Sequence, residues 1–276
     1  MYRRFFCFGM GARMKTDFEI IEHRFDKPIR IYPIADVHLG SIYHRQKEWE
    51  RFVKELEADE GAYIFLNGDL VNNNIKNAPG SVYEDRIRPM EQKRMMVEYL
   101  MPIRDKILCL TSGNHERRSL RETDQDITAD IATKLDIEPL YRENAAFVKI
   151  CIGNRSSGKR ICPLQTYVFC VTHGSGGGAY PGGVINKNER FATGAMEGVD
   201  CLVVGHTHKG QISRPSKLIV DKNSNAIFLR DMLVLSCVSW QQYGGYAMQK
   251  MLQPSATANP QILTLEERKH NISVLW

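Results

Sequence analysis

Residues 29–40 read IRIYPIADVHLG, an apolar run from Ile29 to Ala35 that ends in Asp36-Val37-His38. A short run of this kind, rich in β-branched and aromatic residues, reads as a buried strand. The two polar residues at its end lie on one side of an extended chain, because alternate positions share a face. The arrangement recurs four times. Ala62 to Leu66 is followed by Asn67-Gly68-Asp69, Ile107 to Thr111 by Ser112-Gly113-Asn114-His115, Thr166 to Thr172 by His173-Gly174, and Cys201 to Val204 by Gly205-His206-Thr207-His208.

Helical patterning separates these runs, over Lys47 to Glu60, Tyr83 to Met101 (broken or started at Pro89), Ile127 to Leu135 and Asn186 to Met196. Alternating strands and helices predict an α/β layered fold. After His208 the pattern becomes strands divided by turns. Leu218 to Val220 and Ala226 to Leu229 flank Asp221 to Asn225, and Leu233 to Ser239, Ile262 to Leu265 and Ile272 to Trp276 follow. This tail reads as a β meander extending or covering a sheet, while Gly153 to Gly158 and Gly174 to Gly183 read as loops on composition. Residues 1–17 are expected to be a disordered leader and residues 18–276 a single domain.

In an open α/β sheet, ligands bind in the crevice beyond the carboxyl ends of the strands. Five strand ends would bring two Asp, one Asn and up to five His there. Oxygen and imidazole donors of this kind suit manganese, iron, zinc or nickel rather than a thiolate site or an all-oxygen calcium cage. Two ions need about seven protein ligands with positions left open for water and substrate, and that many are on offer. Glycines before Asp69, Asn114 and His206 let the backbone turn toward the ions. A single His-x-His or Asp-x-His is more often a polar loop pair; five in series, each at a strand end, are another matter.

Composition narrows the alternatives. The 37 Lys and Arg against 32 Asp and Glu leave a net charge of +5, which favours anionic substrates and permits nucleic acid without indicating it. Seven cysteines, odd in number and mostly inside apolar runs, read as buried hydrophobes in a reducing compartment rather than a disulfide framework. No apolar stretch is long enough for a membrane span, so a cytoplasmic chain is expected, with its oligomeric state open. No GxxxxGK(S/T) phosphate loop is present.

The ordered motifs DVHLG, NGDLV, GNHE, THG and GHTH resemble those of the calcineurin-like metallophosphoesterase superfamily over Ile31 to about Lys209. The resemblance implies a four-layer α/β/β/α sandwich of two mixed sheets. It implies that Asp36, His38, Asp69 and His208 hold one divalent ion and that Asp69, Asn114, His173 and His206 hold a second, with Asp69 bridging. Manganese is the expected metal, and iron, zinc and nickel are alternatives. Water or hydroxide between the ions would be the nucleophile, and His115 would protonate the leaving oxygen or steady the transition-state charge.

The residues after Gly68-Asp69 separate branches of that superfamily. Protein phosphatases resembling calcineurin carry GDxVDRG, whereas this chain has Asn72-Asn73, and nucleases of the double-strand-break repair type place a second catalytic His where Asn72 stands. Asn72, Arg117 and Arg118 are the candidates for contacting substrate phosphate, arginine forks being suited to it. The expected function is hydrolysis of a phosphodiester or phosphomonoester from a nucleotide or nucleic acid. The alternatives are a DNA or RNA nuclease and a catalytically silent binding scaffold. Tyr141, Trp240, Tyr243 and Tyr246 could stack a base, but core packing is the commoner use of such residues.

Overall fold

The computed structural model describes residues 18–78, 81–157, 160–176, 181–221, 223–249, 251, 253–254 and 259–276. In chain order its elements are β1 (Ile21–Phe25), β2 (Ile29–Ile34), α1 (Gln46–Ala58), β3 (Ala62–Asn67), α2 (Pro89–Leu100), β4 (Ile107–Thr111), α3 (Glu116–Thr123), α4 (Ile127–Lys134), β5 (Tyr141–Arg142), β6 (Ala145–Ser157) and β7 (Arg160–Thr172). There follow α5 (Pro181–Ala195), β8 (Cys201–Val204), β9 (Gln211–Ser213), β10 (Ser216–Val220), β11 (Ile227–Asp231), β12 (Leu233–Ser236), α6 (Gly245–Gln249), β13 (Ile262–Leu265) and β14 (Ile272–Leu275).

Two six-stranded mixed sheets form, ordered β14-β13-β2-β3-β4-β5 and β1-β6-β7-β8-β12-β9. Strands β2 to β5 run parallel, as do β7, β8 and β12. The side-chain period of two sorts each strand between layers. Tyr167, Phe169 and Val171 of β7 and Cys201 and Val203 of β8 face Ile31, Phe65 and Cys109 of the other sheet. Their neighbours Cys170, Leu202 and Val204 pack with Ala192 of α5 on the outer side. Across the first sheet, Ile64, Leu66 and Leu110 meet the helices. There α1 offers Trp49, Phe52, Val53 and Leu56 at helical spacing. The layers are therefore helix, sheet, sheet, helix, as expected.

All five expected strands are present, with β4 and β8 spanning the expected residues. The four expected helices are present as well. Pro89 is the first residue of α2, where its missing N–H is no loss, and α5 begins at Pro181 rather than Asn186. Two expectations need correction. Gly153 to Ser157 belong to β6 rather than a loop, carried through by antiparallel pairing with β7 as far as Ser157 opposite Arg160. The tail is no single meander. β12 enters one sheet, β13 and β14 enter the other, and β10 and β11 form a separate hairpin. The expected leader lies outside the described residues, as do residues 177–180 of the expected 174–183 loop. Residues 181–183 are helical.

Candidate metal centre

The carboxyl ends of β2, β3, β4, β7 and β8 converge on one crevice. Three groups of side chains there have donor atoms all within 4.8 Å of one another: Asp36 with His38 and His208, Asp69 with His173 and His206, and His38 with Asp69 and His115. His208 Nε2 lies 3.2 Å from Asp36 Oδ1 and 3.1 Å from His38 Nε2. On the other side, His173 Nε2 is 3.3 Å from Asp69 Oδ2. Asn114 Oδ1 lies 3.1 Å from that nitrogen and 2.6 Å from His206 Nδ1. Asp69 stands between the groups, its Oδ2 3.8 Å from both His38 Nε2 and His115 Nε2.

The backbone here is bent to bring these atoms inward. Asp36, His38, Asp69, His206 and His208 all have positive φ, between 49° and 69°. Such conformations cost energy for residues other than glycine and cluster at functional sites, although Asp, Asn and His tolerate them better than most. The turns are fixed by hydrogen bonds between strand ends. Asp36 N donates to Gly68 O, His38 N to Asp69 O, and His206 N to Asp36 Oδ2.

The donor set fits divalent cations. Asp36 Oδ1 is buried and accepts no hydrogen bond, although buried acceptors are nearly always paired. Burial disfavours charge on Asp36 and Asp69, but the imidazoles around them, His208 at Asp36 and His173 at Asp69, outweigh it and hold both carboxyls below the ordinary carboxylate range. Burial likewise works against a proton on His173, yet Asp69 and Asp36 push its pKa up to about 10. Two buried carboxylates thus draw positive charge into a pocket whose nitrogens and oxygens point at common centres. Asp36, His38, Asp69, His173, His206 and His208 are placed where they could hold a metal ion, with Asn114 Oδ1 beside His173 and His206.

His115 is held differently. Its Nδ1 is 2.5 Å from Asn72 O, and its Nε2 is 2.9 Å from Arg118 Nη2. A carbonyl only accepts and a guanidinium only donates. The ring is therefore a neutral imidazole with hydrogen on Nδ1 and its Nε2 lone pair turned to Arg118. Burial, only partly offset by Asp69, lowers its pKa to about 3. Arg118 is anchored through Nη1 to Asn72 O and to Asn74 Oδ1. The other two substrate candidates are committed elsewhere. Asn72 Nδ2 donates to Asp85 Oδ1 at 2.5 Å, and Arg117 Nη2 donates to the carbonyls of Ser112 and Glu143. Trp240 and Tyr141 serve the interior, Trp240 against Trp49 and Tyr141 through its hydroxyl to Asp126.

Sequence reasoning passed over several residues that brace the site. Glu116 is buried and accepts from Asp69 N, Val71 N and Gly113 N, tying together the turns that carry Asp69 and Asn114. Asn67 donates to Thr172 O and accepts, through its own carbonyl, from His173 Nδ1. That bond leaves His173 Nε2 free to face Asp69. Gln92 and Asp85 fix the Asn72 to Asn74 turn, Gln92 Oε1 accepting from Asn73 N and Asp85 accepting from Asn72 and Asn74. The available signal was polarity in unusual places: an Asn closing an apolar strand, and a Glu opening a helix beside Asn114-His115.

Among relatives of known sequence, the DNA polymerase II small subunit of Thermoplasma acidophilum is 24% identical over 161 residues, covering 54% of this chain and 30% of that protein's length. Among solved structures, a metallophosphoesterase from Sphaerobacter thermophilus aligns with 15% identity and a TM-score of 0.40, covering 91% of this chain and 89% of that one. A protein from Streptococcus pneumoniae described as a predicted phosphoesterase aligns with 12% identity and a TM-score of 0.35, covering 90% and 89%. The family model for calcineurin-like phosphoesterases matches residues 29–210. That span opens with β2, closes just past His208 and takes in every donor described above, and the chain accordingly belongs to the calcineurin-like phosphoesterase family.

Proposed function

We propose that this chain hydrolyses a phosphodiester or phosphomonoester of a nucleotide or nucleic-acid fragment at a centre of two divalent ions, manganese first among them. The observation that carries the reading is the meeting of two donor groups at Asp69, with His38 on one side and His173 on the other. Asp36, His38, Asp69 and His208 would hold one ion, and Asp69, Asn114, His173 and His206 the other. When bound, the ions supply the Lewis acidity that activates water near neutral pH and offsets charge on the phosphoryl oxygens.

The chain's own groups do the rest. Glu116 keeps Asp69 and Asn114 in register, and Asn67 fixes which nitrogen of His173 faces inward. Arg118 holds a permanent positive charge at His115 Nε2, where it would offset charge developing on a leaving oxygen. With its hydrogen on Nδ1, His115 has no Nε2 proton to give, so it can protonate that oxygen only after Arg118 releases Nε2 and that nitrogen takes up a proton from solvent. The free, buried cysteines Cys109, Cys151, Cys170, Cys201 and Cys237 support a reducing, cytoplasmic setting.

The test is metal-reconstituted protein assayed on bis-p-nitrophenyl phosphate, p-nitrophenyl phosphate, mononucleotides, cyclic nucleotides, single-stranded DNA and RNA. Hydrolysis that chelator abolishes is expected on at least one of them. Folded, metal-loaded protein inert on all of them would overturn the proposal and favour the silent scaffold, against which the full donor set stands. A nuclease is the second reading, favoured by the match to a DNA polymerase subunit and weakened by Asn72 where a second catalytic His would stand. Cleavage confined to the polynucleotides would select it.

A further inference from the structure

The hairpin of β10 and β11 belongs to neither main sheet, and among the described residues its two strands pair only with each other. Opposed residues of an antiparallel pair share a face. Lys217 with Arg230 and Ile219 with Phe228 therefore make one face, and Leu218 with Leu229 and Val220 with Ile227 make the other. The first is turned toward the body, since Arg230 Nη2 lies 3.6 Å from Asp200 Oδ1 and Ile219 is half-buried. The second faces solvent. Leu218 is 72% exposed, Leu229 68%, Ile227 67% and Val220 65%.

An isolated two-stranded hairpin is marginally stable in water, and exposed apolar strand faces are what folded proteins ordinarily avoid. Here four aliphatic side chains form an uncharged block, bounded at the base by the Ser216 to Asp231 hydrogen bond. We propose that this outer face is a self-association surface, on which a second copy of the chain packs its own hairpin face to face about a two-fold axis.

Two observations select a second copy as the occupant. Among the described residues of this face the one charge is Asp231, at its edge and hydrogen-bonded to Ser216, so the aliphatic block itself offers a charged partner little to match, whereas a flat aliphatic patch can pack on its own copy, as a two-fold interface requires. Its size also suffices. Four side chains at this exposure present roughly 300 Å² of apolar surface. In an interface about 60% apolar that corresponds to a total burial of about 1,000 Å², the lower bound for a specific pair. A lipid bilayer is disfavoured because the tip that would enter first carries Asp221, Asn223, Ser224 and Asn225.

Sedimentation of the full chain across the micromolar range tests this. A monomer–dimer equilibrium is expected, with Leu218→Asp combined with Leu229→Asp weakening it at least about tenfold. Circular dichroism and metal-dependent phosphoesterase activity should be unchanged, because neither residue belongs to the metal centre. Leu229→Cys should give a disulfide-linked dimer on oxidation, and Lys217→Cys, on the inner face, should not. A wild-type chain monomeric throughout, or a dimer indifferent to the double substitution, overturns the proposal. So does a monomer that binds lipid vesicles through the same two leucines.

Discussion

At the residue scale, Asp69 stands between the two donor groups, with a φ of 51° and with Gly113 packed against it. Asp69→Asn removes the charge that draws cations to both sides and is expected to lose bound metal and turnover together. Elemental analysis alongside the assay checks it, and full metal content with a normal rate would end the bridging assignment. His115→Ala should retain the metal yet slow turnover by about a hundredfold. Arg118→Ala should cost about as much and should steepen the dependence of rate on leaving-group pKa, whereas an unaltered dependence would reduce Arg118 to a prop for His115. His44, buried with Nδ1 donating to Val37 O, supplies a separate test. Burial lowers its pKa to about 4 from the ordinary 6.5. Between those values the unfolded chain binds a proton that the folded chain refuses, so stability falls as pH drops through this window, by about 3 kcal/mol in all. Urea unfolding across the window should show that loss, and His44→Gln should remove its share, leaving the part that His115 contributes in the same direction.

At the scale of elements, the crevice depends on the ends of β3 and β4 coming into contact. A Cβ on Gly113 would lie 2.1 Å from Asp69 Oδ1 and 2.2 Å from Asp69 N. Gly113→Ala must therefore displace Asp69, and a folded variant with weakened metal binding is expected from calorimetric titration. The core strands were legible because a short run of Ile, Val, Leu and Phe, apolar on both faces, fits a strand buried between two layers and little else. Strand β6 carries a clear inward set, Ala146, Val148, Ile150 and Ile152. Its end is rich in Gly, Asn and Ser, which resemble a turn until β7 supplies pairing partners. Helix α3 escaped notice because it has no apolar stripe. The residues it buries are Glu116 and Ser119, which serve hydrogen bonds to the metal-site turns rather than packing.

At the scale of the whole molecule, two sheets and two helical layers assemble a site from residues as far apart in sequence as His38 and His208, 170 positions. Metal binds this assembled state and not the unfolded chain, so loading is expected to raise the melting temperature and chelator to lower it. His173, its pKa pushed up to about 10, carries a proton at neutral pH that an ion must displace. Affinity should therefore tighten as pH rises toward that value, with protons released on binding, and titration calorimetry in buffers of different ionisation enthalpy would count them. The order of the strands' donors, the α/β class and the kinds of metal those donors suit were determined by the sequence itself. Periodicity and residue type are local properties, visible without knowing what lies opposite. Only the tertiary structure decided that His115 is turned to Arg118 as a neutral ring, that Asn72 spends its side chain on Asp85, and that one face of the β10–β11 hairpin is left bare. Each of these depends on which partner arrives from a distant part of the chain, and local pattern carries no record of that.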